Sequence, residues 1–172
     1  MKERNYICGG NKFTYSKGYI TLPVEINDLP ESILIEGETL YKKPSFHASL
    51  LCVKDIIEKH GNGNMEERIL NFFCSFVKEN DISFVKYSGE FRFAKSEERK
   101  SLVALCEISN LKKFSESLGQ ELGIEIPPQP THVTLYTLQP DVGIGLNNPA
   151  AMEEKSAPVQ VPEVIRHGLG LA

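Results

Sequence analysis

Two amphipathic helices set between runs of period-two alternation constrain this chain more than any other feature. Behind Asn64, a capping residue with Glu67 three positions on, Ile69, Leu70, Phe72, Phe73, Phe76 and Val77 recur at helical spacing. A second helix is predicted from Ser109 to about Leu122, with Leu111, Phe114, Leu118 and Leu122 on one face and Gly123 as its stop. The runs Tyr19 to Ile26, Ser45 to Val53, Ser83 to Ala94, Lys100 to Ile108 and Thr131 to Leu138 read as strands, with SEERK as a hairpin connection. Pro23 hints that the first of these is an edge. The last residues predict a short helix (Ala150 to Lys155) and a strand (Val159 to Ile165). Strand pairs followed by one helix, twice over, imply an α+β domain of two similar lobes with antiparallel pairing and helices on one side of each sheet.

A chain of 172 residues, 41% hydrophobic and 24% charged, encloses a core as one domain, here residues 1–172. Its formal net charge of −4 lacks the basic footprint of a protein for long duplex nucleic acid. No run approaches the roughly 18 apolar residues of a membrane span, and MKERNYICGGNKF has no apolar leader-like stretch. Cys8, Cys52, Cys74 and Cys106 are widely spaced with no CxxC pair, so all four read as reduced thiols in a cytoplasmic protein.

The chemistry concentrates in two short segments. Phe46-His47-Ala48-Ser49-Leu50 and Thr131-His132-Val133-Thr134-Leu135 share one pattern: His, a small or apolar residue, a hydroxyl, Leu. Residues i and i+2 of a strand share a face, so His47 lies beside Ser49 and His132 beside Thr134, with Tyr136 next along the same face. By the same parity Cys52 points to the core. Two imidazoles can divide the work of base and acid, and two hydroxyls can donate to the non-bridging oxygens of a phosphate. That set suits opening of a cyclic phosphate or cleavage of a phosphodiester without a metal. Neither strand adds a carboxylate beside its histidine, HExxH is absent, and no GxSxG elbow occurs, so zinc and serine-triad chemistry are not expected. Gly143-Ile144-Gly145 reads as a turn whose amides border a pocket, and His60 and His167 read as surface residues.

The paired H-x-[ST] strands resemble the 2H phosphoesterase superfamily, also called LigT-like, which includes 2′,5′-RNA ligase and cyclic phosphodiesterases. SGEFRF (Ser88 to Phe93) followed by SLVALCEI resembles the hairpin between that family's motifs, and the similarity spans residues 19–148, leaving 149–172 as an extension. The resemblance implies a bilobal fold with pseudo-twofold symmetry: two antiparallel sheets, helices on their outer sides, and a central cleft. It implies that His47 and His132 are the acid/base pair and that Ser49 and Thr134 bind phosphate, with no cofactor and no metal. Which histidine is the acid is open at this level.

The expected activity is that of a metal-independent phosphodiesterase acting on 2′,3′-cyclic phosphates or 2′,5′-linked nucleotide or RNA ends. The alternatives are a hydrolase of cyclic oligonucleotide signals and a non-catalytic nucleotide-binding module using the same cleft. Nearby cations are few (Lys42, Lys43 and Arg92), which favours a nucleotide or short RNA end over long duplex nucleic acid or a membrane, with the protein a monomer. Lys43 and Tyr136 are the candidate substrate contacts, Tyr136 either stacking on a base or standing at the rim.

Overall fold

The β-branched and aromatic alternation of the central segments places them in one sheet, seen in a computed structural model that describes residues 7–8, 12–61 and 63–171. Its strands are β1 (Thr14–Ser16), β2 (Tyr19–Val24), β3 (Ser32–Ile35), β4 (Glu38–Lys42), β5 (Phe46–Cys52), β6 (Phe84–Ser96), β7 (Arg99–Ile108), β8 (His132–Thr137) and β9 (Ser156–Pro158). The helices are α1 (Val53–His60), α2 (Met65–Glu79), α3 (Leu111–Leu122), α4 (Pro149–Lys155) and α5 (Glu163–Gly168). Every strand pairing among the described residues is antiparallel, so the α+β class holds.

The expected two sheets are joined into one. The strand order is β1-β2-β5-β8-β7-β6-β9, with β4 also on β8 and β3 on β4. β5 and β8 meet through a single registered pair, Ala48 with Val133, and past that point β4 takes over as the neighbour of β8. The β3–β4 hairpin adds two strands to those expected, of four and five residues, too short for alternation alone to mark them. Pro23 is not on an edge strand: β2 lies between β1 and β5. β1 ends level with Thr21, however, so the missing N–H of Pro23 costs no ladder bond on that side.

One face of the sheet carries the core. Leu22, Ala48, Leu50, Val133 and Leu135 are buried there against Ile69, Leu70 and Phe73 of α2 and Phe114 and Leu118 of α3. Phe114 sits edge-on to Phe73 and Phe76, at 5.2 and 5.4 Å between ring centroids, which ties α3 to α2. Neither helix is capped as expected. Asn64 makes no side-chain cap bond, and Ser109 instead accepts from the Ser83 N–H and donates to the Asp81 carbonyl. Asn110 occupies the cap position of α3 at φ 58°, and Gly123 ends the helix in the left-handed region at φ 68°.

The opposite face is covered only over β6 and β7. There Ala94 and Val103 pack under Ile144, Leu146 and Met152, which belong to the segment returning after β8. This return corrects the last predicted strand: β9 is formed by Ser156–Pro158, and part of the predicted strand is α5, whose Ile165 is buried. The cover also hides Arg92. Its guanidinium donates to the Ser156 hydroxyl and carbonyl at 2.8 and 2.9 Å, so it supplies no charge to an open surface. No described helix is long and apolar enough to cross a membrane.

Cys8 and Cys74 form a disulfide, which corrects the expectation of four free thiols; Cys52 and Cys106 are free and buried. Sequence spacing hid the pair because its halves lie 66 residues apart. Structural disulfides belong mostly to oxidising surroundings, so this one weighs against the cytoplasmic setting read from the sequence.

Candidate active site

The uncovered half of the second face, over β1, β2, β5 and β8, is the floor of a cleft of about 1060 Å³. His47, Ser49, His132 and Thr134 all border it. The Ala48–Val133 pair explains why. Antiparallel register around that pair brings Thr134 opposite His47 and His132 opposite Ser49, so each imidazole stands across from the other strand's hydroxyl. Two motifs far apart in the chain thus become one four-residue cluster.

The hydroxyl row continues outward. Thr21 of β2 is registered with Ser49 and Thr14 of β1 with Thr21, and the Thr14 and Thr21 hydroxyls bond each other on the cleft wall. Two bulges set the limits of the floor. Between Ile20 and Thr21 the register of β2 with β5 slips, leaving Leu50 as the extra residue. Parity flips there, and Cys52, expected in the core, falls on the cleft side opposite Tyr19. Its thiol lies against Tyr19 and Asp55, and burial raises its pKa above the usual thiol value.

The second bulge corrects the role expected for Tyr136. Leu102 of β7 faces Tyr136 and Val103 faces Thr134, so Leu135 is the extra residue of β8 and Tyr136 turns to the core. There it is fully buried, and its hydroxyl donates to the Pro30 carbonyl at 2.7 Å. It does not border the cleft. Of the Phe and Tyr residues, Tyr19 and Phe46 border it, and Phe46 turns its ring into the core.

Lys43 borders the cleft. Its backbone N–H donates to the Leu135 carbonyl, continuing the β4–β8 ladder by one step, and its ammonium lies 3.4 Å from Asp141 at the cleft edge. Lys42, by contrast, pairs with Glu31 and does not border the cleft. Cations that sequence reasoning missed make up the difference: Lys17, Lys54, Arg99 and Lys155 border the cleft with Lys43, against the carboxylates Asp55 and Asp141. A cationic cleft therefore sits in an acidic chain. Its four lysines and one arginine come from five separate segments, so no run of basic residues marks it.

Both histidines are held neutral. His47 is pushed down to about 4, first by loss of hydration and then by Lys43 and His132, with Asp141 opposing. His132 is lowered by burial. Its Nδ1 is 2.7 Å from the Pro130 carbonyl, an acceptor only, so Nδ1 carries the proton and Nε2 keeps its lone pair. The Gly143–Gly145 turn does border the cleft, as read from the sequence. Asn147, just beyond it, accepts from the Tyr19 hydroxyl and donates to Asp55, both at 3.1 Å, tying this turn to β2 and α1. His60 and His167 are exposed and remote from the site. Among the described residues no cluster of three or more His, Cys, Asp or Glu is arranged to hold a metal ion. Comparison with protein-family models, with curated proteins and with solved structures returned no match.

Proposed function

We propose that this protein is a two-histidine phosphodiesterase that opens 2′,3′-cyclic phosphates or cleaves 2′,5′-linked nucleotide or RNA ends. The observation that carries the reading is the Ala48–Val133 junction, which sets the two His-x-hydroxyl triplets head to tail around one point in a cationic cleft. The approximate twofold relation of the triplets also agrees with the bilobal LigT-like arrangement that the sequence resembles.

The roles follow from the surroundings of each ring. His132 is the base: its Nδ1 proton is committed to Pro130, and burial disfavours its charged form, so Nε2 is ready to take a proton from water or a ribose hydroxyl. His47 is the acid. It is only partly buried and has Asp141 nearby to favour the imidazolium once an anion offsets Lys43. Ser49 and Thr134 donate to the non-bridging oxygens, and Lys43 balances the charge that gathers there. In hydrolysis the water oxygen bonds to phosphorus and its proton passes to His132. The bond to the leaving ribose oxygen breaks as that oxygen takes the proton of His47. A later proton exchange with solvent resets both rings.

The test is turnover of 2′,3′-cyclic nucleotides, 2′,5′-linked dinucleotides and cyclic oligonucleotides in EDTA, with His47→Ala and His132→Ala alongside. Each variant is expected to lose roughly 10²–10⁴-fold in rate while keeping its circular dichroism spectrum. Equal rates in the wild type and both variants would refute the mechanism. Tight binding of one compound with no turnover would make the cleft a binding module.

A further inference from the structure

The cleft holds more positive charge than one phosphodiester needs, and part of that surplus lies away from the histidines. Tyr19 stands two residues beyond Thr21 on β2, about 7 Å along the strand from the level of Ser49. Lys54 Nζ lies 5.4 Å from the centroid of the Tyr19 ring. Lys17 borders the cleft from the turn just before Tyr19, and Ser16 is registered across from Tyr19 on β1. The backbone builds this cluster: the N–H groups of Val53 and Lys54 both donate to the Gly18 carbonyl, which clamps the start of α1 onto the β1–β2 turn.

Asp55 is the one carboxylate bordering this end among the described residues, and it accepts from Asn147. Lys54 itself forms no ion pair among the described residues, and its ammonium lies over the face of the Tyr19 ring. Arg99 and Lys155, at the other end, are exposed with no ring contact, a placement suited to drawing anions in rather than fixing them.

We propose that the Tyr19 end of the cleft is a second phosphate subsite, with Lys54 as its principal ligand, so that the preferred ligand carries two phosphate groups. The proposal rests on the reading that His47 and His132 hold the reacting phosphate. The second phosphate has two chemical sources, a 5′-phosphate on the same nucleoside or the neighbouring diester of an oligonucleotide. Tyr19 then offers its ring to the nucleoside between the two phosphates.

Binding, rather than turnover, tests this independently of catalysis. Calorimetric affinities would be measured for adenosine 2′-phosphate, adenosine 2′,5′-bisphosphate and a diadenosine carrying a terminal 2′-phosphate, with wild type, Lys54→Gln and Lys155→Gln. At least one two-phosphate probe is expected to bind wild type roughly tenfold or more tighter than the one-phosphate probe. Lys54→Gln should erase that gain while binding the one-phosphate probe as wild type does, and Lys155→Gln should preserve it. The probe that shows the gain identifies the source of the second phosphate. Equal affinities for all probes, no binding of any, or a gain that survives in Lys54→Gln would each overturn the subsite. If the gain behaves as expected but wild type turns over no cyclic phosphate, the phosphodiesterase reading fails and the subsite stands.

Discussion

In the open cleft neither histidine is a competent acid near neutral pH, so the bound phosphate itself must create one. His47 sits at about 4 because burial and the charges of Lys43 and His132 oppose its proton. A phosphodiester monoanion at about 4 Å from the ring returns about 4 kcal/mol at an effective dielectric near 20. At about 1.4 kcal/mol per unit, that is roughly three units, which carries His47 from about 4 to near 7 in the complex. The assay is a titration of the His47 Cε1–Hε1 resonance, assigned with His47→Asn, in the free protein and with a non-hydrolysable phosphonate diester that stays monoanionic throughout. The free protein should titrate near 4 and the complex near neutrality. Kinetics should agree: kcat reports the complex and kcat/KM the free protein, so the basic limb of kcat should lie about three pH units above that of kcat/KM. A His47 that stays neutral down to about pH 4 with ligand bound would refute both the charge argument and its assignment as the acid.

Three further outcomes are expected. The same low pKa makes His47 a source of acid sensitivity: the unfolded ring takes its proton near 6.5 and the folded one near 4, so stability rises with pH across that window and is lost as pH falls through it. Denaturant melts at pH 4 and 7 should show His47→Asn flattening this dependence by about 3 kcal/mol, and an unchanged slope would count against the burial of the ring. Reduction of Cys8–Cys74, which spans 66 residues, should lower stability by up to about 4 kcal/mol, and identical urea midpoints with and without reductant would remove the disulfide from the fold's support. Tyr136→Phe leaves the Pro30 carbonyl without its donor and should cost about 1 kcal/mol of stability with ligand affinity unchanged, whereas weaker binding would return Tyr136 to the cleft.

Short-range pattern alone determined a good deal. The period-two alternation of Phe46–Leu50 and His132–Leu135 assigned His47, Ser49, His132 and Thr134 to strand faces opposite Ala48 and Val133, and the burial of those two residues agrees. The helical spacing of Phe73, Phe76, Phe114 and Leu118 identified the core faces of α2 and α3, because one stripe of each helix must leave water whatever its partner. Tertiary structure decided the rest. Strand parity holds only until a bulge, and a bulge depends on the neighbouring strand: Leu50 and Leu135 become extra residues against β2 and β7, which turns Cys52 toward the cleft and Tyr136 into the core. Most of the cleft charge was hidden for a similar reason, since Lys17, Lys54, Arg99 and Lys155 lie far apart in sequence and join Lys43 only through the sheet and its returning segment. The Cys8–Cys74 pair and the β3–β4 hairpin likewise depend on partners that no local window contains. Local sequence set which way each side chain faces within its own element. Only the joining of β5 to β8 at Ala48 and Val133 made two such faces into one site.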